Sequence, residues 1–505
     1  MNDTFDSETQ LLESGIIAFR ACACVLVTAM LIVMISKKQR DRIPGPTSLP
    51  LLGTMLQIGL EPQKAFERMR KKYGDVFEVT IGAQRMIIIS GYDTIKESLA
   101  TKSELFAGRP DMFTSKFLSN GKSLSFTTNT PEWHAHRQLT ERALRLLANG
   151  SDFLNGVVTS EAELFSKKMI STDGKAIDPA QDILWSVAHI KYSMCFGNSR
   201  QEQHAKFEKL IRGTLEIVDG SSSLNFFPVL RWLAAWKCVR YNRVCGDVCE
   251  VATEKEHEHE RTFRSGFIRD ALDALIHVGR NSKHMLDQQR LLHTSQDFMG
   301  AGLDIVYVAL TWCVLYLAQF PEIQRNIKAE IRRVIMSTSD EKTGKRRPRK
   351  EDMKSMPYTQ AFIYEVLRHS SVVPFALPHS NIRDTHIKGL HIPRNSFILT
   401  SLYSVHHDPA IWGDPAIFRP TRFLDSTGES LCKSTLEKFV PCGVGRRKCV
   451  GEALAKQEMF LYVTTLLQQC DVIKPQDQET PYDLEPVFGL CLKPKPFQVS
   501  FVPAS

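Results

Sequence analysis

Apolar residues recur at helical spacing over most of residues 60–335, while β signals are confined to short runs. Those runs are Val76-Phe77-Glu78-Val79-Thr80, Met86-Ile87-Ile88-Ile89-Ser90 and the neighbourhood of Ile387–Ile392. β-Branched and aromatic residues dominate them, which suits a pleated, half-buried surface. The pattern predicts a mainly α body with a small β region, organised as one domain over residues 51–505. No internal repeat or long low-complexity run interrupts it.

Two apolar stretches are long enough to cross a bilayer, which requires about 20 residues. The first, Ile16–Ser36, is broken only by Arg20, which can snorkel to an interface. Asp3, Asp6, Glu8 and Glu13 precede it, and Lys37, Lys38, Arg40 and Arg42 follow it. The positive-inside rule then predicts residues 1–15 on the lumenal side, a transmembrane anchor over 16–36, and a cytosolic remainder. The rival is a secretory signal cut at Ala21-Cys22-Ala23. The acidic start, and an apolar run continuing past that site, argue against it. Residues 37–50 form a basic, proline-rich linker, in which Pro44, Pro46 and Pro50 forbid a continued helix. The second stretch, Phe298–Phe320, contains Asp304 just after the small residues Gly300-Ala301-Gly302. This pattern predicts a long buried helix with a functional notch, where a bulky group approaches the backbone and the acid has a partner or a task.

Composition narrows the function. The 505 residues are 43% hydrophobic and 24% charged, which excludes a disordered or fibrous chain. A net charge of +8 over this length suits an acidic partner or an anionic membrane surface and gives no case for nucleic-acid binding. Twelve cysteines without a CxxC pair exclude a zinc module and a disulfide scaffold, and place the thiols in a reducing compartment. The basic run Gly344–Lys350 reads as a solvated connection, with a docking site for an acidic partner as the alternative. In Glu256-His257-Glu258-His259-Glu260, residues two apart do not share a helix face, so the run reads as a solvated charged face rather than a metal site. Gly300-Ala301-Gly302 lacks the third glycine and preceding strand of a dinucleotide site, so redox electrons must come from another protein.

The chemistry concentrates in Phe439-Val440-Pro441-Cys442-Gly443-Val444-Gly445-Arg446-Arg447-Lys448-Cys449-Val450-Gly451-Glu452. A glycine-containing turn delivers the Cys449 thiol to the start of an apolar helix. The helix dipole and the three preceding cations favour its thiolate, as nucleophile or metal ligand. Gly443, Gly445 and Gly451 allow a flat cofactor close approach.

This spacing resembles the heme-binding loop of cytochromes P450. Four further segments match that family in order: Trp133-His134-Ala135-His136-Arg137, Gly300-Ala301-Gly302-Leu303-Asp304, Glu365-Val366-Leu367-Arg368 and Phe418-Arg419-Pro420-Thr421-Arg422-Phe423, the last with Thr421 where Glu is usual. Segments around Gly108–Asp111, Phe267–Asp270 and Arg368–Phe375 are similar to the animal microsomal family 1 group. The resemblance implies the P450 fold behind one N-terminal transmembrane helix, heme b as cofactor, and Cys449 as axial iron ligand. It further implies that Trp133, Arg137, Arg447, Arg109 and His379 hold the heme propionates. Glu365, Arg368 and Arg422 would form a structural triad. Ala301, Gly302, Asp304 and Ile305 would line the oxygen site, and Phe126, Phe226, Phe227, Leu303 and Val373 the substrate pocket. NADPH–cytochrome P450 reductase, and cytochrome b5 as a further donor, would supply electrons at the endoplasmic reticulum membrane, for oxidation of a lipophilic small molecule.

Two positions depart from the family. Cys442 stands where an aromatic Phe usually covers the sulfur side of the heme. It lacks the Arg at −2 and the Gly at +2, so Cys449 remains the expected ligand. Ile305 replaces the Thr whose hydroxyl helps deliver protons to dioxygen, and Val306-Tyr307 supply no substitute. Proton delivery then falls to Asp304 and ordered water. Ile305 also opens an alternative: a reductase-independent isomerase or dehydratase acting on peroxides. A non-catalytic heme-binding scaffold would need a degenerate site, which this one is not.

Overall fold

The computed structural model describes residues 43–115, 121–150, 153–197, 204–219, 222–282, 287–338 and 346–504. The expected anchor over 16–36 and residues 37–42 of the linker lie outside them. The helices of ten residues or more are α1 (Pro62–Tyr73), α2 (Pro131–Gly150), α3 (Phe153–Ile170), α4 (Ala180–Phe196), α5 (His204–Asp219), α6 (Ala235–Thr262), α7 (Ala271–Arg280), α8 (Gln288–Gln319), α9 (Pro321–Val334), α10 (Pro357–His369) and α11 (Glu452–Gln469). The strands are β1 (Val76–Ile81), β2 (Gln84–Ile89), β3 (His379–Ser380), β4 (Thr385–Ile387), β5 (Leu390–Ile392), β6 (Phe397–Thr400), β7 (Cys470–Ile473) and β8 (Ser500–Pro503). A mostly helical body with a small β part is thus observed, and all three alternating runs are strands.

The largest sheet has the order β1-β2-β6-β3. β1 and β2 form an antiparallel hairpin, and β2 runs parallel to β6 with Met86 opposite Phe397. β2 is buried on both faces: Ile87 and Ile89 join one apolar cluster with Ile398, while Met86 and Ile88 join another with Phe66 and Phe77. That two-sided burial explains its unbroken apolar run. The end of the linker crosses β1. The Glu78 N–H donates to Pro44 O at 2.8 Å, and a Cβ on Gly45 would stand 2.2 Å from Glu78 O.

α8 is the central helix. Its start is fixed by Asp287, whose side chain accepts from Arg290 N at 2.8 Å. It extends ten residues before the apolar stretch and is buried almost throughout from Leu303 to Ala318, against residues of α3, α4, α10 and α11. Its membrane-like composition is that of a core helix.

The Glu256–Glu260 run corrects the expectation of a wholly solvated face. Glu256 and His259, three residues apart, point inward, while His257, Glu258 and Glu260 are exposed or partly so. His259 Nε2 lies 2.7 Å from Asp270 Oδ2, and its Nδ1 faces Lys255 O at the same distance. Asp270 also caps α7 through Asp273 N. This is a helix-joining network rather than a display of charge.

Candidate active site

The cysteine loop is shaped by residues that tolerate no substitute. Phe439 anchors its start among the rings of Tyr364, Phe423 and His406. Gly445, at φ +76°, passes so close to the wide helical turn Lys96–Thr101 that a Cβ would stand 1.6 Å from Leu99 O. The loop closes where Cys449 N donates to Cys442 O at 3.0 Å, and α11 begins three residues later.

Cys449 is exposed. A hydrogen bond from the Cys442 thiol is the main influence lowering its pKa, with help from the Gly451 N–H and Arg137; Cys442 is raised correspondingly. The stabilisation therefore does not come from the three preceding cations. Arg446 pairs with Glu104, Lys448 with Glu452, and Arg447 turns away from the sulfur.

Arg447 and Arg109 hold the site's second feature. Arg447 donates to Ala107 O, Leu124 O and Thr127 O, and its guanidinium lies 3.7 Å from the Trp133 ring centroid. Arg109 donates to Ser125 O, Leu377 O and Pro378 O. Among the described residues no carboxylate pairs with either. Burial first, then repulsion from Arg137, and for Arg447 from Arg109 as well, pushes both guanidinium groups well below their usual range. A guanidinium keeps its proton at neutral pH, so the cost persists as unmet demand for an anion.

The other expected propionate contacts border the same place. Trp133 is fully buried and donates from Nε1 to Leu124 O at 2.9 Å. Arg137 donates to Lys448 O and pairs with Glu141. His379 faces Phe106 O through Nδ1 at 2.7 Å, and burial, with Arg109, holds it neutral with its pKa lowered to about 3.

On the opposite side, Ala301 is exposed in the middle of an otherwise buried helix. Ile305, Val306 and Ala309 of α8 line one small apolar pocket with Val372, Val373, Cys442 and Met459. Asp304 is buried, and Lys493 Nζ stands 3.2 Å from its Oδ1. Gly302 lies under the chain of Lys191, whose Cε would be 2.8 Å from an added Cβ; Lys191 is ion-paired with buried Glu458. Lys493, Lys191 and Glu458 escaped the sequence reading, because no local spacing links them to α8.

The remaining candidates separate by location. Phe126 is half-buried on the loop that carries Leu124 and Ser125. Leu303 is fully buried in the main core. Phe226 packs beside Phe66 and Phe77, and the Phe227 ring covers Gly82 of the β1–β2 turn. Glu365 receives both Arg368 Nε and Nη2, at 2.7 and 2.8 Å, and Arg422 Nε at 2.9 Å. Arg368 also donates to His406 O and Pro415 O, so the triad ties α10 to the segment preceding the cysteine loop.

A thiol loop, an anion-seeking pair and a notched helix invite comparison with known proteins. The cytochrome P450 family profile matches residues 43–501. The chain belongs to the cytochrome P450 family. Cytochrome P450 1A2 of Homo sapiens is 34% identical, covering 94% of this chain and 96% of its own. Cytochrome P450 1A5 of Gallus gallus is 33% identical, covering 95% and 94%. A solved zebra fish cytochrome P450, described with progesterone, superposes with a TM-score of 0.77 at 26% identity, covering 88% of this chain and all of its own. The family binds heme iron and acts by monooxygenation, so this P450 is an enzyme. Its residues fit that group: an exposed thiol with a favoured thiolate, and two half-buried cations with no carboxylate partner among the described residues, which heme carboxylates would supply.

Proposed function

We propose that the protein inserts one oxygen atom from O2 into a lipophilic aromatic or steroidal substrate at a membrane surface, with electrons from NADPH through a partner reductase. The balance is substrate C–H, O2, NADPH and H⁺ giving alcohol, water and NADP⁺. Bound heme b would supply the oxygen-activating and transfer chemistry. Cys449 would hold its iron, and Arg109, Arg447, Trp133, Arg137 and His379 its propionates. Val373, Ile305 and Ala309, with Phe126 on its loop, would exclude water from an apolar substrate. Phe226 and Phe227 contribute through packing.

The observation favouring monooxygenation is the Asp304–Lys493 pair. Asp304 is buried on α8, its Oδ1 3.2 Å from Lys493 Nζ, and the Lys493 side chain is 32% exposed, so Lys493 would connect the carboxylate to solvent where Ile305 offers no hydroxyl. Oxygen reduction needs such a route, and peroxide rearrangement does not. Arg346 no longer bears on the choice. It is bidentate to Asp352 at 2.9 Å, and Arg347 is bound to Glu163, so these cations are spent internally.

An apolar surface supports the lipid partner. Leu51, Leu56 and Leu60 are exposed, as are Trp232, Leu233, Trp236 and Val239. The first group is pinned to β1 by Thr54 N donating to Thr80 O, the second to the adjoining turn by Ala83 N donating to Phe226 O. Both therefore flank one end of the hairpin.

The test is turnover of polycyclic aromatic and steroid substrates by the purified protein with a microsomal reductase. Hydroxylated product is expected only with NADPH, and Ile305→Thr raises product per NADPH consumed. Conversion of an organic peroxide without NADPH, and no product with it, establishes the rearranging reading instead.

A further inference from the structure

Cys442 is a thiol where the family usually has an inert ring, and it touches the sulfur that would hold the iron. We propose that Cys442 and Cys449 form a reversible disulfide in the heme-free chain, so that thiol oxidation closes the site to heme. This rests on Cys449 being the iron ligand.

The geometry is in place. The two residues share the N–H···O=C bond of 3.0 Å that closes the loop. A single N–H···O=C bond leaves the two Cα atoms roughly 5–6.5 Å apart, which overlaps the span of a disulfide. Their side chains meet, the Cys442 thiol donating to the Cys449 sulfur. Gly443 and Gly445, at φ +67° and +76°, curl the chain between them. Cys449 is exposed and Cys442 half-buried, which orders the chemistry: Cys449 meets the oxidant and Cys442 resolves the adduct.

With glutathione disulfide as oxidant, the Cys449 thiolate attacks one sulfur, forming a mixed disulfide and releasing glutathione thiolate. Cys442 then loses its proton and attacks Cys449 Sγ, expelling the second glutathione. The protein dithiol is oxidised by two electrons, and one glutathione disulfide is reduced to two glutathiones. A sulfur committed to Cys442 cannot also bind iron, so disulfide and heme exclude each other.

The test uses full-length protein prepared without heme, treated with glutathione disulfide, and read by peptide mass and by hemin titration. The wild-type chain should acquire the Cys442–Cys449 link. It should take up hemin in the thiolate form at least tenfold less, and recover with dithiothreitol. Cys442→Ser should instead accumulate a glutathione adduct on Cys449, because nothing resolves it. Protein already carrying heme should not form the link. An adduct on Cys449 beside a free Cys442 in the wild-type chain, no reaction at either thiol, or equal linkage with heme bound would overturn the proposal. Loss of the ligand reading is distinguishable: Cys449→Ser would then retain the thiolate-type spectrum.

Discussion

Arg109 and Arg447 carry charge that the described protein does not neutralise, and this makes them separable from ordinary structural arginines. Arg447→Met removes a half-buried cation that no described carboxylate pairs with. The heme-free variant should therefore unfold at the same temperature as the parent or higher. Its heme affinity should fall by about 10- to 100-fold, the equivalent of one charge-assisted pair of about 1.5–3 kcal/mol. Calorimetry of the heme-free protein and hemin titration check the two signs, and a destabilised heme-free chain with unchanged affinity would contradict them. The residues legible in the sequence were those with local signatures: Cys449 in its glycine turn, Arg137 one helical turn after Trp133, Arg368 one turn after Glu365. Those missed are set by tertiary contact. Lys493 reaches Asp304 from a distant loop, and Lys191 lies against Gly302 across a helix interface. The source of the Cys449 shift was also hidden, since spacing counts the cations before a thiol but not where they turn.

At the scale of elements, the loop over residues 121–130 binds the site together. Asp297 of α8 holds it, accepting from Ser123 Oγ at 2.8 Å and from Leu124 N at 2.7 Å. Burial outweighs these bonds and raises the Asp297 pKa to about 6. The folded chain then binds a proton more tightly than the unfolded one, whose value is near 3.9. Ionisation of Asp297 thus opposes folding, and its contribution falls as pH rises from about 4 to 6. Asp297→Asn should remove that slope, so the difference in unfolding temperature between variant and parent should change with pH between 4 and 6 and level off above. A constant difference would show that Asp297 does not titrate there. Strand and helix types followed from periodicity because sheet and core impose them. The Glu256–Glu260 run misled because pairs two apart were compared, whereas the helix buries residues three apart.

At the scale of the whole molecule, the exposed apolar residues beside the hairpin carry the proposed membrane contact. Leu60 is 91% and Trp232 82% exposed, so their burial in lipid would each contribute about 1.5–3 kcal/mol. A chain beginning at residue 43 should still sediment with phosphatidylcholine–phosphatidylserine vesicles, and Trp232→Glu with Trp236→Glu should weaken this at least tenfold. Equal sedimentation would remove the surface from the account. The central claim, that Cys449 holds heme iron as a thiolate reached by reductase electrons, is tested most directly by a spectrum. Purified protein is mixed with a P450 reductase, NADPH and carbon monoxide, and the Soret band is followed. The account predicts a strongly red-shifted ferrous–CO band that Cys449→Ser abolishes. A band unchanged in Cys449→Ser, or one that forms only with a chemical reductant, would contradict it.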